Sequence, residues 1–208
     1  MMNLECLVVF ISLLTLDGAL GIDSCSVRSP AFCNGNPCPN FVVIEKHEGF
    51  ELRVYEATQW VATSTEMSEE GMKNGFMHLF GYMNGKNKKE KKMKLSVPVI
   101  VPVPVTETPA DNVTMLFYLP PNIHNPPAPT DCDITLKKYN ATNIYVRSFD
   151  GIAKGPEFVL QAKVLAESLM AHNKEFYSSF FVGAGYDGPD KTTNRHNEVW
   201  FLQNAPEH

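Results

Sequence analysis

The chain has 208 residues, 44% hydrophobic and 20% charged, which suits one globular domain large enough to bury a real core. Its formal net charge of -5 argues against a nucleic-acid binder, which would normally show a basic face.

Residues 1–21, MMNLECLVVFISLLTLDGALG, hold an apolar run from Cys6 to Leu16 and then small residues at Ala19 and Gly21. This is the pattern of a secretory signal peptide cleaved after Gly21, although Glu5 stands where a basic residue is usual. A run of about eleven apolar residues is too short to span a bilayer of roughly 30 Å as a helix. No later segment is apolar enough, so no transmembrane segment is expected.

Residues 22–40 form a Cys-rich arm of Ser, Pro, Asn and Gly without periodicity. With Cys6 in the signal, Cys25, Cys33, Cys38 and Cys132 form an even set, and four cysteines allow three disulfide pairings. If all four pair, one bridge staples the arm to the middle of the fold through Cys132. The spacing lacks the close pairs of a structural zinc site. Asn112-Val113-Thr114 and Asn140-Ala141-Thr142 are glycosylation sequons. The expectation is a secreted, extracellular, disulfide-bonded glycoprotein.

The domain proper spans residues 41–208. Phe41–Ile44 is a short apolar run, and Phe50–Glu56 alternates strictly, so Phe50, Leu52 and Val54 are predicted to face inward on a strand. Trp60–Thr65 continues as another. Met67–Met83 then switches to a helical period, with Ser68 as cap, Glu69 and Glu70 in the first turn, and Met72, Phe76, Leu79, Phe80 and Met83 in one apolar stripe. Ordinary core packing is the competing reading of that stripe. Six lysines between Lys86 and Lys94 read as a solvated turn, or as a patch attracting an anionic ligand.

Leu95–Val105 alternates β-branched residues with Pro98, Pro102 and Pro104, which predicts an edge or bulged strand. Val113–Leu119 is a strand, and the prolines from Pro120 to Pro129 form a stiff crossover. Strands at Ile134–Tyr139 and Ile144–Phe149 precede a helix over Pro156–His172, whose inner face carries Phe158, Ala162, Leu165 and Leu169. Ser178–Ala184 and Val199–Gln203 are the last strands, joined by a loop with Gly183, Gly185, Gly188 and Pro189. Asn197, Val199 and Phe201 should share one face of the final strand, with Glu198, Trp200 and Leu202 on the other. The order strand, helix, strand, strand occurs twice. That makes an α+β fold with its helices outside a shared sheet or a distorted barrel.

FELRVYEATQWVATS, LFGYMNGKN, KLSVPVIVPV, FYLPPNIHNPPAPTD, IYVRSFDG and GYDGPDKTTNRHNEVW, in this order between Phe41 and Gln203, resemble the SOUL/haem-binding protein family. The resemblance implies a distorted antiparallel β-barrel of two pseudo-symmetric β-α-β-β halves with two flanking helices. It also implies that haem or a related tetrapyrrole binds in an apolar groove beside the first helix. Met72, Phe76 and Phe80 would then form the wall, and Lys73 and Lys191 match the family's proposed propionate contacts. Some members place a histidine, proposed as an axial iron ligand, before the tyrosine of the E-[IL]-R-x-Y strand. Here that position is Val54, so no histidine of this strand can ligate. His78 and His47 are the nearest remaining candidates for a metal ligand, and binding without a fixed axial ligand is expected.

Burying a few hundred Å² of ring at about 25 cal/mol/Å² gives on the order of 10 kcal/mol gross, against roughly 0 to 1 for an exposed lysine-carboxylate pair. The wall should supply affinity and the lysines orientation. No G-x-S-x-G, H-E-x-x-H, phosphate-loop or dinucleotide motif occurs. A hydrolase or tetrapyrrole-modifying enzyme would have to rely on Tyr55, Tyr186 or Glu198. A secreted interaction protein with a vestigial pocket is the other alternative.

Overall fold

The computed structural model describes residues 29–106 and 110–204. The expected signal peptide, Cys25 and His208 lie outside the described residues. In chain order the elements are β1 (Phe41–His47), β2 (Phe50–Tyr55), β3 (Thr58–Glu66), α1 (Glu69–Met83), β4 (Val99–Pro104), β5 (Asn112–Leu119), β6 (Ile134–Tyr139), β7 (Thr142–Asp150), α2 (Gly155–Ala171), β8 (Phe180–Gly185) and β9 (His196–Leu202).

All nine strands join one antiparallel sheet in the order β1-β2-β7-β9-β8-β4-β5-β3-β6. β1 and β6 are free edges, so the sheet curls without closing into a barrel. Advancing each strand from β2 by four turns the order β2-β7-β9-β8-β4-β5-β3-β6 into its own reverse. The fold is therefore two β-β-α-β-β units related by a pseudo-twofold axis between β8 and β4, one strand more per unit than the sequence pattern predicted. Each unit's first strand pairs with the other unit, β2 with β7 and β6 with β3, which locks the halves together.

Alternation assigns the two faces of the sheet. On the convex face α1 covers Val61, Met115 and Phe117 with Leu79, Tyr82 and Met83, while α2 covers Leu52, Val199 and Phe201 with Ala162, Leu165 and Leu169. The concave face carries Tyr55, Trp60, Ile100, Leu116, Val182 and Trp200. Both faces of β2 are covered, so Arg53 and Tyr55 are buried while Val54, expected to point inward, is only half-buried.

β4 is not an edge strand. It pairs with β8 from Val99 to Pro104 but with β5 only at Val99 and Ile100. Pro102 and Pro104 have no N–H to extend the β5 ladder, so the prolines part the sheet locally instead of ending it. The apolar Val42, Val43 and Ile44 lie on the exposed edge β1, where a register shift between Val43 and Glu45 breaks the regular pairing.

The arm is more ordered than its composition implies. Cys33 and Cys38 form a disulfide, and Phe32 and both cysteines join the concave core. Cys132 is exposed and has no disulfide partner among the described residues, so no bridge from it staples the described part of the arm to the middle of the fold. Its neighbours Asp131 and Asp133 belong to an exposed turn. The arm is fixed instead by packing, by the Val97 N–H donating to the Pro37 carbonyl at 2.9 Å, and by Lys94 Nζ donating to the Gly35 carbonyl at 3.0 Å.

Candidate functional site

The Ser68 hydroxyl opens α1 by accepting the Gly71 N–H at 3.0 Å. Gly75 then lets the helix lie close on β3, since a Cβ there would stand 2.9 Å from Thr65 Cβ. Leu79, Tyr82 and Met83 are fully buried, whereas Met72, Phe76 and Phe80 are half-buried at the margin of the same cluster. Phe76 packs on Phe117 with ring centroids 5.1 Å apart and lies near-parallel to Phe80 at 6.1 Å.

Beside these rings Met77 is 52% exposed, and Lys73 and His78 face solvent. Lys86 folds back over the last turn of α1, where a Cβ on Gly81 would meet its Cδ at 3.0 Å. α1 thus presents an apolar strip with one lysine on its second turn and another beyond its end. Sequence reasoning did not single out Met77, which falls off the core stripe, and met Lys86 only as one of six lysines read as a solvated turn or as a patch attracting an anionic ligand.

Lys191 belongs to the β8–β9 loop and ion-pairs with Asp187 at 2.7 Å. The second Asp187 oxygen accepts the His196 N–H at 2.7 Å, and Asn34 of the arm donates to Asp187 at 2.8 Å. Burial raises the Asp187 pKa, but the Lys191 and His196 hydrogen bonds outweigh it and hold the carboxyl below its ordinary 3.8. No ion pair or hydrogen bond joins Lys191 to described residues of α1, so it does not share a preformed cluster with Lys73. The two candidate histidines are also apart. His78 projects from α1, while His47 binds Glu45 at 2.9 Å and lies beside Phe50 and His172 at the α2 side.

Tyr55, Tyr186 and Glu198 do come together, on the concave face under the arm. The Glu198 carboxylate has no exposed surface and bonds Arg53 Nη1 at 2.9 Å, Tyr186 Oη at 2.8 Å, Trp200 Nε1 at 2.8 Å and His196 Nε2 at 2.8 Å. Arg53 also donates to Glu51 and to Tyr55, and its guanidinium lies 4.3 Å from the centroid of the Phe41 ring. Phe32 stacks on His196 at 4.0 Å and covers the cluster.

Burial pushes the Glu198 pKa up, but the His196 hydrogen bond and the Arg53 charge hold it below 4.5. Burial first, and the Glu198 charge second, push both tyrosines above their ordinary 10.0. A carboxylate engaged by five partners, Ser148 Oγ donating at 3.5 Å being the fifth, beside two neutral phenols, is a structural knot that leaves no lone pair directed at a substrate.

The family model for the SOUL heme-binding protein matches residues 36–202. The chain belongs to this family. SOUL-family relatives include Heme-binding protein 2 of Mus musculus, 35% identical over 159 residues that cover 74% of this chain and 78% of that protein. Heme-binding protein 1 of Xenopus laevis is 33% identical over 160 residues, covering 74% and 84%.

Among solved structures, the EcmrR C-terminal domain aligns with a TM-score of 0.55 at 8% identity, over 74% of this chain and 96% of that one. A Listeria innocua hydrolase aligns with a TM-score of 0.50 at 8% identity, over 77% and 93%. At such identity the likeness is one of fold alone. Within the SOUL-family match, the residues tied to the expected site are Met72, Lys73, Phe76 and Phe80 on α1 and the separately anchored Lys191.

Proposed function

We propose that this SOUL-family chain is a non-enzymatic, extracellular binder of haem or a related tetrapyrrole, and that the ligand lies on the solvent-facing strip of α1. Family membership over residues 36–202 carries the ligand class. The half-buried Met72, Phe76 and Phe80 beside exposed Met77 support the position, because a flat apolar ring needs a wall that is packed from behind and open in front. Lys73 and Lys86 would orient the propionates, and Lys191 joins only by giving up Asp187. Iron gains no fixed protein ligand in this reading, since position 54 is a valine, His47 is bonded to Glu45 at the α2 side, and His78 faces solvent on the side of α1 away from Phe76 and Phe80.

The saturated bonding of Glu198 favours binding over catalysis. Export through the segment 1–21 and glycans on Asn112 and Asn140 complete the reading, since both asparagines are exposed. N-terminal sequencing of the protein from culture medium should begin at Ile22.

The α1 assignment is tested by Met77→Glu. Met77 is largely outside the core, so thermal unfolding should be unchanged. Losing its partial burial against the ring and placing a carboxylate there should weaken hemin binding by about tenfold. Unaltered hemin affinity would remove the ligand from this face.

A further inference from the structure

The concave face holds a cavity of about 790 Å³, within the range of small-molecule sites. It opens where β4 and β5 part beyond Ile100, and its inner wall is built from Tyr55, Trp60, Ile100, Phe180, Val182 and Trp200. The disulfide-bonded arm covers the opposite end of this face through Phe32. It lies across the sheet from α1, which packs on the convex side.

Its electrostatics differ from those of the α1 strip. Among the described residues the lining includes no lysine, arginine or histidine, and its one ionisable acid is Glu56, which accepts from Asn40 Nδ2 at 3.0 Å. Two propionates brought here would meet a carboxylate and no cation. The remaining polar lining consists of neutral side chains, among them Thr58, Ser64, Thr114, Tyr139 and Thr142. Asn112 and Asn140, the two sequon asparagines, stand at the same rim. Glycans there would keep the entrance wet and unpacked against a protein partner.

We propose that this cavity is a second binding site, separate from the tetrapyrrole face, for an uncharged and mostly apolar small molecule with a hydroxyl or carbonyl at one end. The body of the ligand lies against Trp60 and Trp200, and its polar end meets the neutral rim. Charge decides the class. An anion lacks a partner here, while an apolar body gains the full benefit of leaving water.

N-phenyl-1-naphthylamine, an uncharged probe, and 1-anilinonaphthalene-8-sulfonate, its close analogue with a sulfonate, test the proposal on the secreted protein before and after deglycosylation. Both tryptophans of the chain line the cavity, so a bound naphthylamine should be excited by energy transfer from them. The expected result is saturable 1:1 binding of the uncharged probe, at least tenfold tighter than the sulfonate. Ser64→Phe fills the cavity from an exposed position on β3 and should weaken the probe at least tenfold while leaving thermal unfolding and hemin affinity unchanged. Ser179→Phe does the same from the opposite wall and covers a folding failure of the first variant.

Non-saturable binding, equal affinity for the sulfonate, or insensitivity to both folded variants would overturn the proposal. Competitive displacement of the probe by hemin would overturn it too, by making the cavity the tetrapyrrole site. A failure of the Met77→Glu test alone leaves these outcomes untouched.

Discussion

Glu198 shows how a single residue sets the concave core. The strand alternation of Val199-Trp200-Phe201 places it opposite the α2 face, and that much was legible from the sequence. A structural hydrogen bond to the preceding loop is also what the sequence suggests, and Tyr186 and His196 supply it; Arg53, 145 positions away, was not legible. Glu198→Ala leaves the Arg53 charge buried and half-paired and should cost about 3 to 5 kcal/mol in a urea titration. A loss below about 1 kcal/mol would mean that the knot is not a stability element. Acid acts on the same group. The folded pKa of Glu198 is depressed, so its contribution is present above 4.5 and is lost as pH falls through the folded value; Asp187 acts in the same direction from 3.8. Urea midpoints should therefore fall as the pH is lowered below about 4.5, and a midpoint that rises in that range would contradict the assignment.

At the scale of elements, α1 and α2 were legible because their periodicity and caps agree. Ser68 caps as predicted, Pro156 lies in the first turn of α2, and Ala162, Leu165 and Leu169 are buried. β4 was misread because proline content marks where a ladder stops on one side, and cannot say that the other side pairs with β8 along all six residues. The arm has the irregular backbone expected of it, but its place on the sheet was not legible. Composition reports a lack of regular structure, whereas its position depends on Phe32 stacking on His196 and on a local Cys33–Cys38 bridge. Closing so short a loop restrains the unfolded chain by about 2 kcal/mol. Cys33→Ser with Cys38→Ser should lower stability by about that amount in urea unfolding, while Cys132→Ser should change it by less than about 0.5 kcal/mol.

For the whole molecule, the repeat was visible as an order of elements, but not the exchange of β2 and β6 between units. Strand pairing between distant segments leaves no mark on local pattern, and the twofold emerges only from the sheet order. The proposed tetrapyrrole face was legible in part: Met72, Lys73, Phe76 and Phe80 share α1, whereas Met77 and the fold-back of Lys86 over α1 needed the fold, and Lys191 is held apart by Asp187. The binding reading rests on an apolar wall acting on the ring rather than on a ligand to iron. Side-by-side titration of the mature protein with hemin and iron-free protoporphyrin separates the two. The account predicts saturable 1:1 binding of both, with affinities within about fivefold, or roughly 1 kcal/mol. Binding of hemin alone would contradict it by demanding an axial ligand, and saturation by neither would contradict tetrapyrrole binding itself.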